Sequence, residues 1–340
     1  MMANVTKTYN ILLRFGILAG AYGYLVWKLL IKPETALSFS HLTRLFSLPN
    51  LLPGLLAVVI LMALNWGIET WKWKSLISKA ESVSFKTALT AVLTGVTVSI
   101  FTPNRMGEYI GRVFLLRSRS PVQGILITLI GSLSQIVVYF ISGVAGITVF
   151  FFTHILPIHP DLNFLSWIIL PGAILSISLT VFLFLNVSLL TKLGRKIIPR
   201  KWHRTKAYLS VFRLYSSLVL LTILLLSLFR YMVFTLQYLF LLWIFCLQIS
   251  LTQALMATSV IFFLLVIIPS VALAEVGIRN TVALTVLGMI LNPGLRNDPL
   301  VHLSIVSTAT TLWVINVGIP ALAGSFFVFR LKFFRRNNGN

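Results

Sequence analysis

Acidic residues are scarce in this 340-residue chain: 7 Asp and Glu stand against 28 Lys and Arg, a formal charge of +21. With only 10% charged residues in all, the chain lacks the polar surface that a soluble globule needs. Cysteine is nearly absent as well. The single Cys246, inside the run FLLWIFCLQI, excludes an intrachain disulfide and a cysteine metal cluster. No linker rich in Gly, Pro or Ser occurs, so residues 1–340 read as one membrane domain ending in a basic tail, 330–340. What fills the chain is apolar: 58% hydrophobic residues and a mean hydropathy of +0.95. This composition is that of an all-α polytopic membrane protein. Most basic residues sit between apolar segments, where they set topology and meet anionic lipid, so nucleic acid is not expected as a partner.

Apolar runs of spanning length occur at about 10–31, 51–70, 123–152, 164–187, 214–247 and 300–329, each near the roughly 20 residues that cross the hydrocarbon. The first reads as an uncleaved helix, since so many spans follow. Two further runs, 87–101 and 255–268, are shorter. Their 15 and 14 residues cover only about 21–22 Å as helix. Each ends at a proline followed by a Glu with an Arg four residues on: TPNRMGEYIGR at 102–112 and PSVALAEVGIR at 269–279.

Positive charge assigns the short runs. Lys72, Lys74, Lys79 and Lys86 precede 87–101, and Arg105, Arg112, Arg117 and Arg119 follow it. A full span there would put one basic segment outside, against the positive-inside bias. A re-entrant hairpin keeps both cytoplasmic. The segment 188–213 and the tail are also basic, whereas 153–163 and 248–254 contain no Lys or Arg. With the last two external, 255–291 begins and ends outside and forms a second re-entrant hairpin from the opposite face. The expectation is therefore six spanning helices plus two re-entrant helical hairpins, in two four-element halves, 10–152 and 164–329, of opposite direction, with both termini cytoplasmic. Inverted repeats with broken helices are a transporter architecture, in which irregular backbone lines a polar cavity near the midplane.

The hairpin tips carry the candidate site. Arg105, Arg112 and Arg279 offer planar donor forks for phosphate oxygens, and helix N-termini after the turns add oriented amides. Glu108 is four residues before Arg112, and Glu275 four before Arg279, so each carboxylate can neutralise its Arg without substrate or take a proton as substrate binds. The alternative is a pair of satisfied structural ion pairs. Arg230 lies 16 residues into the stretch 214–247, too deep to snorkel, and either lines the cavity or splits that stretch into two helices. Glu69 is read as an interfacial residue pairing with Lys72 or Lys74 beside a belt of Trp66, Trp71 and Trp73. Gln135 and Tyr139 share a helix face, toward the cavity or toward interhelical hydrogen bonds. His154, His159 and Asp161 could hold a metal but read as a solvated turn. No metal and no cofactor is expected.

TPNRMGEYIGRVFLLR resembles the "TPGRlGE…R…LL" signature, and IPSVALAEVGIRNTVALTVLG the "P…G-GlGv-E" region, of the lysylphosphatidylglycerol synthase transmembrane family, also called flippase-like. Asn104 stands where the first pattern has Gly, and VALAE replaces a Gly-rich turn. The resemblance implies a bacterial or archaeal cytoplasmic-membrane protein similar to a lipid flippase, here the membrane domain only, without the aminoacyl transferase domain that follows it in the synthases. The expected function is movement of an anionic phospholipid or lipid-linked head group between leaflets, with membrane lipids as partners. An integral-membrane enzyme of lipid or polyprenyl-linked sugar metabolism, or a non-catalytic partner of an envelope-synthesis complex, are the alternatives. The sequence gives no oligomeric state.

Overall fold

The computed structural model describes residues 51–100, 102, 105–116, 121–188, 191, 208–247, 249–269, 275–291, 293–296 and 298–328. The expected first helix at 10–31, Pro103, most of the basic segment 188–213 and the tail 330–340 lie outside the described residues. Among the described residues no strand occurs and nearly all the chain is helical, with five helices long and apolar enough to cross a membrane. The chain is a multi-pass membrane protein.

The helices are α1 (Leu51–Ile77), α2 (Phe85–Ser99), α3 (Gly107–Val113), α4 (Pro121–Phe150), α5 (Ser166–Leu185), α6 (Ser217–Ile244), α7 (Leu251–Ile267), α8 (Glu275–Ile290), α9 (Pro299–Trp313) and α10 (Ile319–Val328). The starts of α2, α6, α7 and α9 are marked by short polar side chains that accept from orphan amides of the first turn. Ser84 caps α2 through the Thr87 amide at 3.1 Å, and Asp298 caps α9 through the Leu300 amide at 2.8 Å, with Pro299 in the first turn. Ser250 and Gln253 form a reciprocal capping box on α7. Stretch 214–247 is not split: α6 runs unbroken through Arg230.

Both short apolar runs end where expected. α2 stops at Ser99 and α3 starts at Gly107, while α7 stops at Ile267 and α8 starts at Glu275. The first break contains Arg105 in a left-handed conformation, φ 57°, unusual for a side-chain-bearing residue. The chain then folds back on itself. A Cβ on Gly111 would lie 2.8 Å from the Gly95 Cα, and one on Gly107 2.5 Å from the Val98 carbonyl oxygen, so the two arms cross at backbone contact and run antiparallel.

The hairpin arms pack in a reciprocal pattern. α2 lies against α10, where the position of a Gly324 Cβ is 2.1 Å from the Leu93 carbonyl oxygen and Thr97 donates to the Ala321 carbonyl at 2.8 Å. α7 lies against α4, where a Cβ on Gly143 would sit 2.3 Å from Phe263. Between these two assemblies, α1 and α6 pack on each other. In the last span a π-turn, Val314–Gly318, joins α9 to α10. Pro320 follows it and cannot donate to the Asn316 carbonyl, which favours the wider turn.

Candidate functional site

Polar spacing on α1 begins the site. Asn65, Glu69 and Lys72 recur at i, i+4 and i+7, one face of an otherwise apolar helix, and that face points inward. Glu69 is 4% exposed and Lys72 1%. A carboxylate so enclosed persists only with cations around it. Glu69 has three: Arg112 Nη1 at 2.8 Å on one oxygen, and Lys72 Nζ at 2.9 Å and Arg230 Nη1 at 3.1 Å on the other. Arg112, 2% exposed, also pairs with Glu108 through its second terminal nitrogen.

The network extends from this centre. Arg230 Nε donates to Asn65 Oδ1 at 2.7 Å, and Asn65 Nδ2 donates to Asn316 Oδ1, on the π-turn, at 3.3 Å. The Arg230 guanidinium also sits over the rings of Trp66 and Phe234, 5.4 and 5.3 Å from their centroids. Lys72 donates to Ser227 Oγ at 3.2 Å, which shares a hydrogen bond with Ser134. Gln135 Nε2 reaches the Ser227 carbonyl at 3.3 Å.

The second hairpin contributes its own pair. Arg279 donates to Glu275 Oε1 through Nη2 at 2.9 Å and Nε at 3.2 Å. Arg105, from the other tip, lies within electrostatic range of Glu275, and Trp313 also engages that carboxylate. The two tips thus come together. A cavity of about 470 Å³ is lined by Arg105 and Glu108 from the first hairpin, Pro269, Glu275 and Arg279 from the second, and Glu69, Lys72 and Arg230 from the two central helices. Arg112 stands behind Glu69 and Glu108. Of the six residues expected from sequence, five line the cavity and the sixth buttresses it.

The cluster carries a net charge. Among the described residues, Lys72, Arg105, Arg112, Arg230 and Arg279 face Glu69, Glu108 and Glu275, five cations against three carboxylates, leaving a formal surplus of two positive charges. Four of these cations hold carboxylates; Arg105 makes no ion pair among the described residues, and its Nε is buried without a hydrogen bond. The Gly107 amide, first of α3, is taken by Thr102 Oγ1 at 2.6 Å, so it is not the free donor expected after the turn. Apolar and aromatic residues complete the wall, among them Tyr139, Phe262 and the segment Leu265–Ile268. Ile136 and Ile267 in this wall are exposed.

The interfacial reading of Glu69 is corrected by these contacts. α1 continues to Ile77, so Glu69 lies about 12 Å inside its end rather than at it. Only Trp71 of the expected belt is exposed, and Lys74 rests on it at 5.6 Å. Trp66 faces the cavity, and Trp73 is buried and donates to Thr128 at 3.0 Å. Gln135 and Tyr139 line the cavity, and Gln135 makes its interhelical bond as well. His154 stacks on Phe150 and shares a hydrogen bond with Thr153.

Residues 50–318 match the family model of the lysylphosphatidylglycerol synthase TM region. The chain belongs to this family. Every residue lining the cavity, from Trp66 to Val317, falls inside the matched range. No curated protein and no solved structure matches the chain at a significant level. Membership makes it a membrane protein related to lipid metabolism or transport.

Proposed function

We propose that this chain is a flippase-like transporter that moves an anionic phospholipid or lipid-linked head group between the leaflets of a bacterial or archaeal cytoplasmic membrane. The observation that carries the reading is the charge surplus in a cavity built from both hairpin tips. An anionic phosphodiester entering the cavity offsets part of that surplus, and Arg105 is the cation with a fork to give it. The apolar wall of Phe262 and Leu265–Ile268 suits the acyl chains that remain attached to such a head group. Arg112, Glu108, Glu275, Arg279 and Arg230 hold the cavity open and electrostatically poised around it.

The inverted repeat belongs to the same proposal. Its support is the reciprocal packing: the first arm of each hairpin rests on the last span of the other half, α2 on α10 and α7 on α4, and the second helices of the two halves, α1 and α6, meet at the centre. Arms of 15 and 17 residues, about 22 and 25 Å long, fall short of a roughly 30 Å hydrocarbon layer, so hairpins entering from opposite faces overlap near the midplane.

Purified protein in vesicles containing a trace of head-group- or tail-labelled anionic lipid tests the function. Accelerated loss of leaflet asymmetry is the expected result. Covalent conversion of the lipid, read by mass spectrometry, would replace the proposal by an enzyme. Neither movement nor conversion would leave the chain as a non-catalytic partner of an envelope-synthesis complex.

A further inference from the structure

The three carboxylates of the cavity are not equally committed. Both oxygens of Glu69 are taken, Oε1 by Arg112 at 2.8 Å and Oε2 by Lys72 at 2.9 Å and Arg230 at 3.1 Å. A proton on Glu69 would leave Lys72 and Arg230 with no carboxylate among the described residues. Glu275 is likewise the only carboxylate paired with Arg279 among the described residues, held through two nitrogens at 2.9 and 3.2 Å. Glu108 differs. Its Oε1 meets Arg112, while Oε2 has no hydrogen bond among the described residues, and its side chain, 21% exposed, lines the cavity. Arg112 keeps Glu69 when Glu108 is neutral. Of the three, only Glu108 can take a proton without stranding a cation.

The helices packed most closely on α3 give Glu108 no second partner. α2 carries one charged residue, Lys86, exposed at its start, and α4 carries none, its titratable group in the cavity being Tyr139. On its own hairpin stand Arg105, Tyr109 and Arg112. Elsewhere in the cavity are Lys72 of α1, Arg230 of α6, and Glu275 and Arg279 of α8. A proton on Glu108 raises the surplus of this cluster from two positive charges to three, and an anionic phosphodiester entering the cavity lowers it again. Each therefore favours the other, by one shared coupling free energy.

From this we infer that Glu108 is a proton carrier, and that the chain moves one proton together with each anionic head group, in the same direction. The proton passes from cavity water to Glu108 Oε2 as the anion enters, forming a neutral carboxylic acid, and returns to water when the anion leaves at the other face. The inference rests on the flippase-like reading and adds to it an energy source and a direction. Lipid is driven toward the leaflet that faces the alkaline compartment. Because the proton cancels the single charge of the phosphodiester, a membrane potential alone exerts no net drive.

The test uses the full chain in sealed vesicles with a trace of labelled phosphatidylglycerol, read in each leaflet with and without a pH difference across the membrane. Protein-free vesicles are the blank. Without the gradient the label should spread equally; with it, the leaflet facing the alkaline side should be enriched, by up to about tenfold per pH unit at one proton per lipid. A membrane potential alone should leave the leaflets equal. Glu108→Gln removes the proton-taking group and should abolish the enrichment, whereas Glu108→Asp should retain it. Equal leaflets in the parent under the gradient, or undiminished enrichment in Glu108→Gln, would overturn the inference while leaving transport in place. No movement under any condition would sink the transport reading and the inference with it. Should Glu108→Gln fail to fold, the parent decides by calorimetry of short-chain phosphatidylglycerol binding in neutral buffers of different ionisation enthalpy. Uptake of about one proton per bound lipid is expected, and no uptake would overturn the inference.

Discussion

Glu69 and Arg112, 43 residues apart in sequence, form a 2.8 Å ion pair at side-chain exposures of 5% and 3%. The pair ties the central helix α1 to the second arm of the first hairpin, and through Arg230 the same carboxylate holds α6. One side chain thus fixes three elements around the cavity. A buried carboxylate with three cations gains from Coulomb attraction at low dielectric, but Lys72 and Arg230 would be stranded without it.

Glu69→Gln is therefore expected to be among the most damaging single changes in the chain. It leaves Arg112 with Glu108 alone and Arg230 and Lys72 with no carboxylate, a loss of about 3–5 kcal/mol for a broken buried pair. Thermal unfolding in detergent, followed by size-exclusion chromatography, should show a markedly lower midpoint and early aggregation. A melting curve matching the parent would mean that the cluster is solvated and does not organise the fold.

Arg105 and Arg112 should separate cleanly. Arg105→Gln breaks no ion pair among the described residues, so the protein should stay folded while movement of anionic lipid falls about tenfold to a hundredfold, the value of a charge-assisted hydrogen bond. Arg105→Lys should recover little, because it keeps the charge and loses the fork. Arg112→Gln should lower stability along with transport, since it removes the cation paired with Glu108 and one of the three on Glu69. Parent-level transport by folded Arg105→Gln protein would take Arg105 out of the substrate site.

Much of this arrangement is legible in the sequence. Two short apolar runs, each closed by a proline and a Glu-x-x-x-Arg, specify where helices break and which charges stand at the breaks. Glu69 and Lys72 are harder to see because their neighbours Trp71, Trp73 and Lys74 look interfacial, and the apolar run thins after residue 70 although the helix continues to Ile77. The spacing 65, 69, 72 is the signal that identifies them as an inward face. The Asn316 contact depends on a π-turn, which shifts the inward face of the last span and has no signature beyond Pro320.

Glycine positions test the reciprocal packing. Gly324→Ala forces α10 away from α2, because the new methyl would lie 2.1 Å from the Leu93 carbonyl oxygen, and overpacking of this kind costs about 1–3 kcal/mol. Gly172→Ala on α5 meets nothing within 4 Å and should be neutral or stabilising by up to about 1 kcal/mol, as alanine favours helix over glycine. Melting temperatures of the two variants in one detergent make the comparison. Equal effects would mean that the α2 and α10 contact is not tight in the membrane.

Topology gives the last expectation, and it bears on the whole transporter reading. Cys246 is exposed and must first be replaced by Ala so that labelling reports only introduced thiols. Single cysteines are then placed at Ser82, Ser120 and Ile158. Ser82 is exposed just before α2 and, unlike Ser84, does not cap it, while Ser120 immediately precedes α4 and Ile158 is exposed at the turn between α4 and α5. A re-entrant first hairpin returns the chain to its starting face, so Ser82→Cys and Ser120→Cys should both react with a membrane-impermeant maleimide only when the cytoplasmic side is open. Ile158→Cys, one full span later, should react from outside. If α2 instead crossed the bilayer, Ser82 and Ser120 would label from opposite faces. The tips would then no longer meet from opposite leaflets, and the charged cavity would stand as a polar cluster within a bundle with no alternating path through it.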